Sequence, residues 1–328
     1  MLYVTTRNKF DTYTAHLANQ SDRGPDGGLF LPFRMPELSK AEYQAFSDLS
    51  VCQRIANMIN LFFGTQLTGW DIELYGSKNP VKLVPMNRRI LMAETWHNHD
   101  QDFGRFASRL AARICEDGSS TLKPTSWIGI AIRIALLYGI FPDIPASELP
   151  MDIVVAAEDF SAPMAAWYAR EMGLPIGNII CSHDNESVWN LLHQGEVRAD
   201  EDLPENMERL VAATLGVEEN LRFCELLESG KPYETRMGML EPLRKGMYAT
   251  VCSQDRMRAL ILSVYRMNGY IMGPTTALAY GGLQDYRART GGTRSALLLA
   301  ERSPASNIKA VAGSLEVSEY HLRGILGV

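Results

Sequence analysis

The stretch Asp152-Ile153-Val154-Val155-Ala156-Ala157 is a continuous apolar run behind one acid, as expected of a strand covered on both faces. Ala162 to Met172 then has the pattern of a helix that Gly173 ends, and Asn178-Ile179-Ile180-Cys181 is a second buried strand. A strand–helix–strand unit of this kind builds a parallel sheet with a right-handed crossover. It commits the chain to an α/β architecture with a doubly wound, mainly parallel sheet. Ser295 to Ala300 is a late buried strand of the same sheet, and helices close the chain after Pro304.

The remaining punctuation fits around that sheet. Gly24-Pro25-Asp26-Gly27-Gly28 is dense turn chemistry feeding the short apolar run Leu29-Phe30-Leu31, closed by Pro32. Ser39 with Glu42 three residues on predicts a capping box at a helix start. Asp102 caps a predicted helix with Phe103, Phe106, Leu110 and Ile114 on one side, ended by Gly118. A helix over 126–140 is apolar nearly all round, so it is expected to be buried, and Pro142 stops it. Helices are also predicted over 205–216, 218–229, 254–268 and 275–288. There is no internal repeat or linker. The shift after Pro80 and Pro85 divides the chain into an N-terminal domain, 1–85, and an α/β domain, 86–328.

Composition narrows the function classes. The 328 residues carry a net charge of -6 and no basic block, which argues against nucleic acid as a partner. The most apolar stretch, Trp127 to Phe141, contains Arg133 and is shorter than the about 20 residues a bilayer requires. The start of the chain has no apolar signal core. Five scattered cysteines, never in a C-x-x-C pair, read as buried reduced thiols, and the expectation is a cytoplasmic protein.

Conventional motifs give little. Trp96-His97-Asn98-His99-Asp100-Gln101-Asp102 gathers two histidines and two carboxylates. His97, His99 and Asp100 are a candidate metal set, since imidazole with carboxylate suits zinc, iron or manganese. The competing reading is a polar loop and helix cap. There is no G-x-S-x-G elbow, no Walker A loop and no G-x-G-x-x-G after a strand.

Longer stretches carry more. The opening MLYVTTRNKF…GPDGGLFLPFRMPELSKAEY resembles the threonine synthase N-terminal segment, with its Y-x-S-T-R start and P-D-G-G-L-F-x-P. Leu203-Pro204-Glu205-Asn206-Met207-Glu208-Arg209-Leu210 is similar to that family's S-N-x-E-R-L element. Val264 to Tyr270 followed by Pro274-Thr275-Thr276-Ala277-Leu278-Ala279 resembles its G-Y…P-H-T-A-V-A element. The chain is thus identified as a shortened, degenerate member of the threonine synthase family. The resemblance implies a fold-type II pyridoxal phosphate enzyme fold. Such enzymes convert O-phosphohomoserine to threonine with release of phosphate.

Departures from the family pattern fall on its chemistry. The family lysine lies in H-G-P-T-x-A-F-K-D; anchored on Asp102-Phe103, the corresponding position here is Gln101. An amide nitrogen shares its lone pair with the carbonyl and cannot form a Schiff base. The phosphate loop S-G-N-F-G falls on Ala157-Glu158-Asp159-Phe160-Ser161, which places two carboxylates where a dianion would sit. Like charges about 4 Å apart repel by about 1 kcal/mol even in water. Asp159 and Ser161 also read as helix N-caps. The family histidine becomes Thr275, and T-A-H-P-A-K-F becomes Glu301 to Asn307 with Ser303 at the histidine. The S-G-D-T-G substrate loop and most of the small cofactor-covering domain have no counterpart. Lys123, at that join, is a candidate substitute lysine or a solvated loop residue.

The expected crevice is therefore lined by His97, Asn98, His99, Asp100, Gln101, Asp102, Ala157, Glu158, Asp159, Phe160, Ser161, Thr275 and Ser303. No cofactor is expected in it, pyridoxal phosphate being the family cofactor. The leading expectation is a pseudoenzyme that binds, regulates or scaffolds, with an unknown small molecule or protein as partner. One alternative is an enzyme using acid/base or metal chemistry in the old cleft. Another is a residual phosphate-releasing lyase completed by a partner chain.

Overall fold

The computed structural model describes residues 1–76, 78–96, 102–115 and 122–328. Three short strands, β1 (Leu2–Thr5), β2 (Tyr13–Thr14) and β3 (Phe30–Pro32), form a small antiparallel sheet in the order β2-β1-β3. The helices Lys40–Phe46 and Val51–Phe63 follow, each opened by a capping box, Ser39 with Glu42 and Ser50 with Gln53. The Tyr3 hydroxyl donates to the Phe62 carbonyl at 2.9 Å, which pins the small sheet onto the second helix.

The chain enters the large sheet at Lys82. Its strands are β4 (Lys82–Asn87), β5 (Ile90–Glu94), β6 (Met151–Ala156) and β7 (Ile176–His183). After the small pair β8 (Glu196–Val197) and β9 (Tyr233–Glu234) come β10 (Met247–Val251) and β11 (Ala296–Ala300). The order is β10-β7-β6-β11-β5-β4, parallel throughout except for β4, which returns as a hairpin beside β5. This is an α/β protein with helices on both faces of a mixed, mainly parallel sheet, as expected.

Alternation along the strands divides the core. Ile153, Val155, Ile179 and Leu297 face one apolar cluster, and Val154, Ile180 and Leu298 face the other. The first cluster holds the helix Trp127–Ile140, of which every residue but Arg133 is buried. The second holds the helices Gln254–Asn268 and Pro274–Thr290. Three strands of the large sheet escaped the sequence reading. β4 and β5 stood unnoticed, and β10 lies between the helices predicted over 218–229 and 254–268, because Met247 to Val251 mixes Ala and Thr into a run too short to carry a period. Among the described residues, no helix is long and apolar enough to cross a membrane. All five cysteines are buried, and none is bridged to another.

Two glycines set how closely the layers approach. A Cβ on Gly139 would meet Ile55 Cγ1 at 2.8 Å, so its absence lets the helices Val51–Phe63 and Trp127–Ile140 touch. Across this contact Arg54 donates to the Phe46 and Gly139 carbonyls at 2.8 and 2.7 Å. On the other face, a Cβ on Gly282 would lie 2.6 Å from Thr250 Oγ1 and 2.8 Å from Ser182 Cβ. Alanine favours a helix over glycine by about 1 kcal/mol, but overpacking costs about 1–3 kcal/mol. Gly282→Ala is therefore expected to lower the urea midpoint despite its helix propensity; a raised midpoint would contradict this close packing.

Candidate functional site: a cleft at the carboxyl ends of the strands

The carboxyl ends of β6 and β11 open into a cleft of about 500 Å³, lined among others by Ala156, Glu158, Asp159, Leu299, Glu301 and Arg302. This is where open α/β sheets hold their ligands. Three helices start on it: Phe103–Ile114, through Asp102 to Gly104; Ser161–Glu171, through Asp159 and Ala162; and Pro274–Thr290, through Thr275. Helix N-termini present unpaired N–H groups and a partial positive charge, so three converging on one cleft make a natural anion site.

In this chain each of the three is met by a carboxylate of its own. Asp102 Oδ1 accepts from the Arg105 N–H at 3.0 Å. Asp159 Oδ1 accepts from the Ser161 N–H at 2.9 Å and from the Ser161 hydroxyl. Glu158 Oε1 accepts from the Thr275 hydroxyl at 3.1 Å, while its Oε2 pairs with Arg302 at 3.0 Å. Asp159 caps as expected, but Ser161 is the donor in that cap and not the acceptor. The N-cap residue itself is Phe160, which takes a left-handed φ of 59° and is fully buried. Burial of its ring holds a backbone conformation that a non-glycine residue adopts at a cost of about 1–2 kcal/mol.

The floor is charged but balanced. Arg133 donates through Nε and Nη2 to the two oxygens of Glu301 at 2.7 and 2.8 Å, and its guanidinium lies 4.0 Å from the Phe103 ring centre. Burial alone would push the Arg133 guanidinium down, but Glu301, with Asp159 and Glu158 nearby, holds it above its ordinary value. Lys123 pairs with Asp22 at 2.9 Å, and Asp22 also accepts from the Thr125 hydroxyl at 2.6 Å.

Of the residues expected here, Asp102, Glu158, Asp159 and Thr275 do line the cleft. Ala157 and Phe160 are buried beneath it. Ser303 is buried too and does not line it; its hydroxyl accepts from the Ala305 N–H at 3.1 Å, while its neighbours Glu301 and Arg302 face the cavity. His97, Asn98, His99, Asp100 and Gln101 lie outside the described residues, as does Gly118. Among the described residues no three His, Cys, Asp or Glu side chains form a group that could hold a metal ion. Sequence reasoning missed Arg133 and its partner. The signal was present: a lone charge in an otherwise apolar helix needs a buried counter-charge.

Two expectations follow. Glu301→Gln strands the Arg133 guanidinium, and should cost about 2–3 kcal/mol in urea unfolding, between the values for exposed and fully buried pairs; an unchanged midpoint would show that the pair does not stabilise the floor. For Asp22, burial raises the carboxyl's pKa but is outweighed by Thr125 and Lys123, leaving it below its ordinary 3.8. A lowered folded pKa means stability present above 3.8 and lost as pH falls through the folded value. The stability gap between wild type and Asp22→Asn should therefore be constant at neutral pH and shrink below pH 3.8; a gap that widens with acid would reverse the sign.

Residues 2–75 match the family model described as Threonine synthase N terminus. The curated protein Threonine synthase-like 1 of Homo sapiens is 28% identical over 150 residues, 40% of this chain but only 20% of that protein's length, and its Pongo abelii counterpart matches equally. Among solved structures, the pyridoxal phosphate-bound threonine synthase of Brucella melitensis superposes with a TM-score of 0.83 at 17% identity, covering 97% of this chain and 92% of that one. Yeast threonine synthase gives 0.81 at 14% identity, covering 96% and 90%. Identities this low establish the fold; the N-terminal match adds the lineage. Residues 2–75 thus match the threonine synthase N-terminal model, and the chain as a whole shares the threonine synthase fold.

Proposed function

We propose that this chain is a threonine synthase-like protein that has lost pyridoxal phosphate chemistry and uses the inherited cleft for binding or regulation. The observation that carries the reading is the filling of all three helix N-termini at the cleft by Asp102, Glu158 and Asp159. A phosphate dianion there would face carboxylates already bonded to the Arg105 and Ser161 N–H groups and to the Thr275 hydroxyl. Each cation of the described lining is already committed, Arg133 to Glu301, Arg302 to Glu158 and Lys123 to Asp22.

The amine requirement points the same way. Lys123 is the one lysine on the described lining, and its ammonium is paired with Asp22 at 2.9 Å. Gln101, at the family's lysine position by sequence, has no such chemistry. The residues present thus do not fit the family cofactor. The cover over the cleft is also reduced: only residues 115–126 join the helix ending at Ile114 to the one starting at Trp127. A segment that short cannot fold as a domain, since about 40 residues is a practical minimum without staples.

Titration of the purified protein with pyridoxal phosphate tests the proposal. No saturable aldimine absorbance is expected, and Glu158→Gly/Asp159→Asn should not create one, because the amine is missing as well as the cradle. An aldimine band abolished by borohydride would overturn it.

A further inference from the structure

We propose that the cleft selects a small organic amine, reversing the charge preference of an anion-binding fold. This deepens the reading that the cleft no longer takes a phosphate and rests on it. A cavity of about 500 Å³ is of the size that holds small ligands. Its charges can be paired off one by one. Arg133 is neutralised by Glu301, Arg302 by Glu158, and Lys123 by Asp22 from outside the lining. What remains are Asp102 and Asp159. Neither forms an ion pair among the described residues, and each spends its Oδ1 on its own helix start, leaving Oδ2 for another donor.

Among the described lining residues the unpaired charges are therefore both negative, and every cation is already matched. Two carboxylates with spare acceptor capacity call for a donor carrying positive charge, whose hydrogen bonds to them are charge-assisted. A metal ion fits less well, because no three His, Cys, Asp or Glu side chains among the described residues form a group that could hold one. An ammonium group on a short flexible chain suits two carboxylates that sit at the starts of different helices on the same cavity. The apolar lining from Phe103, Leu122, Val155 and Leu299 offers its methylene groups a surface, and the Thr275 and Ser306 hydroxyls offer further polar contacts.

Calorimetric titration with the aliphatic diamine putrescine tests this, with succinate and inorganic phosphate as anionic controls. Wild-type protein is expected to bind putrescine and neither anion. Asp102→Asn/Asp159→Asn keeps both helix caps, since asparagine caps as well as aspartate. It should weaken putrescine by at least about tenfold while leaving the fold intact by circular dichroism. Three results would overturn the inference: no putrescine heat in wild type, equal binding of succinate or phosphate, or unchanged affinity in the double variant. A parallel pyridoxal phosphate titration separates the two levels. An aldimine would bring down the underlying reading, whereas a silent putrescine titration without an aldimine brings down this inference alone.

Discussion

The guanidinium of Arg209 is the point at which the separate parts of this molecule meet. It is fully buried and donates to the Phe30 carbonyl at 2.9 Å, to the Thr125 carbonyl at 2.7 Å and to Asn206 Oδ1. Asn206 passes the contact on, its amide reaching the Pro124 carbonyl at 3.1 Å and the Asp159 carbonyl at 2.7 Å. One helix start thus fixes β3 of the small sheet, the join beside Lys123 and the loop that carries Glu158 and Asp159. Burial pushes the Arg209 pKa down to about 10, so the charge persists at neutral pH and must be satisfied by carbonyl dipoles. A neutral side chain in its place would leave those carbonyls buried and unpaired, each costing about 1–3 kcal/mol. The position of the cleft's acids is in this sense set from beneath by a cation that never reaches the cleft.

Around that hub a second set of buried charges ties the N-terminal strands to the helices that follow. Glu208, next to Arg209, receives Arg7 at 3.1 Å and Arg23 at 3.3 Å as well as the Thr6 hydroxyl. Asn220 donates to the Thr6 carbonyl at 3.1 Å. The run Asn206 to Arg209 is a structural knot more than a catalytic one: its amide, carboxylate and guanidinium all point into the protein. The scaffold and the site can change independently as long as the knot holds the loop.

Much of this was legible in the sequence because it rested on strong periodic signals. The buried run at 152–157, the Ser39–Glu42 box, the Asp102 cap and the all-apolar helix before Pro142 each left one local pattern with one local consequence. The cleft was half legible. Asp102, Glu158, Asp159 and Thr275 could be placed through the order of family-like segments, whereas Arg133 and Glu301, which lie 168 positions apart in the chain, meet only in the folded protein. Ser303 illustrates the residual error. A one-residue difference in where a strand ends decides whether a side chain faces the cavity or the core, and spacing alone does not locate that end.

The carboxylates seated on the three helix starts have a consequence for how this fold is maintained. In a protein that needs an external anion to satisfy converging N–H groups, folding stability rises with ligand supply by mass action. Here the counter-charges are tethered to the polypeptide, at an effective concentration set by the chain and not by the surroundings. In the proposed reading, helix starts satisfied from within the chain draw no stability from a coenzyme pool.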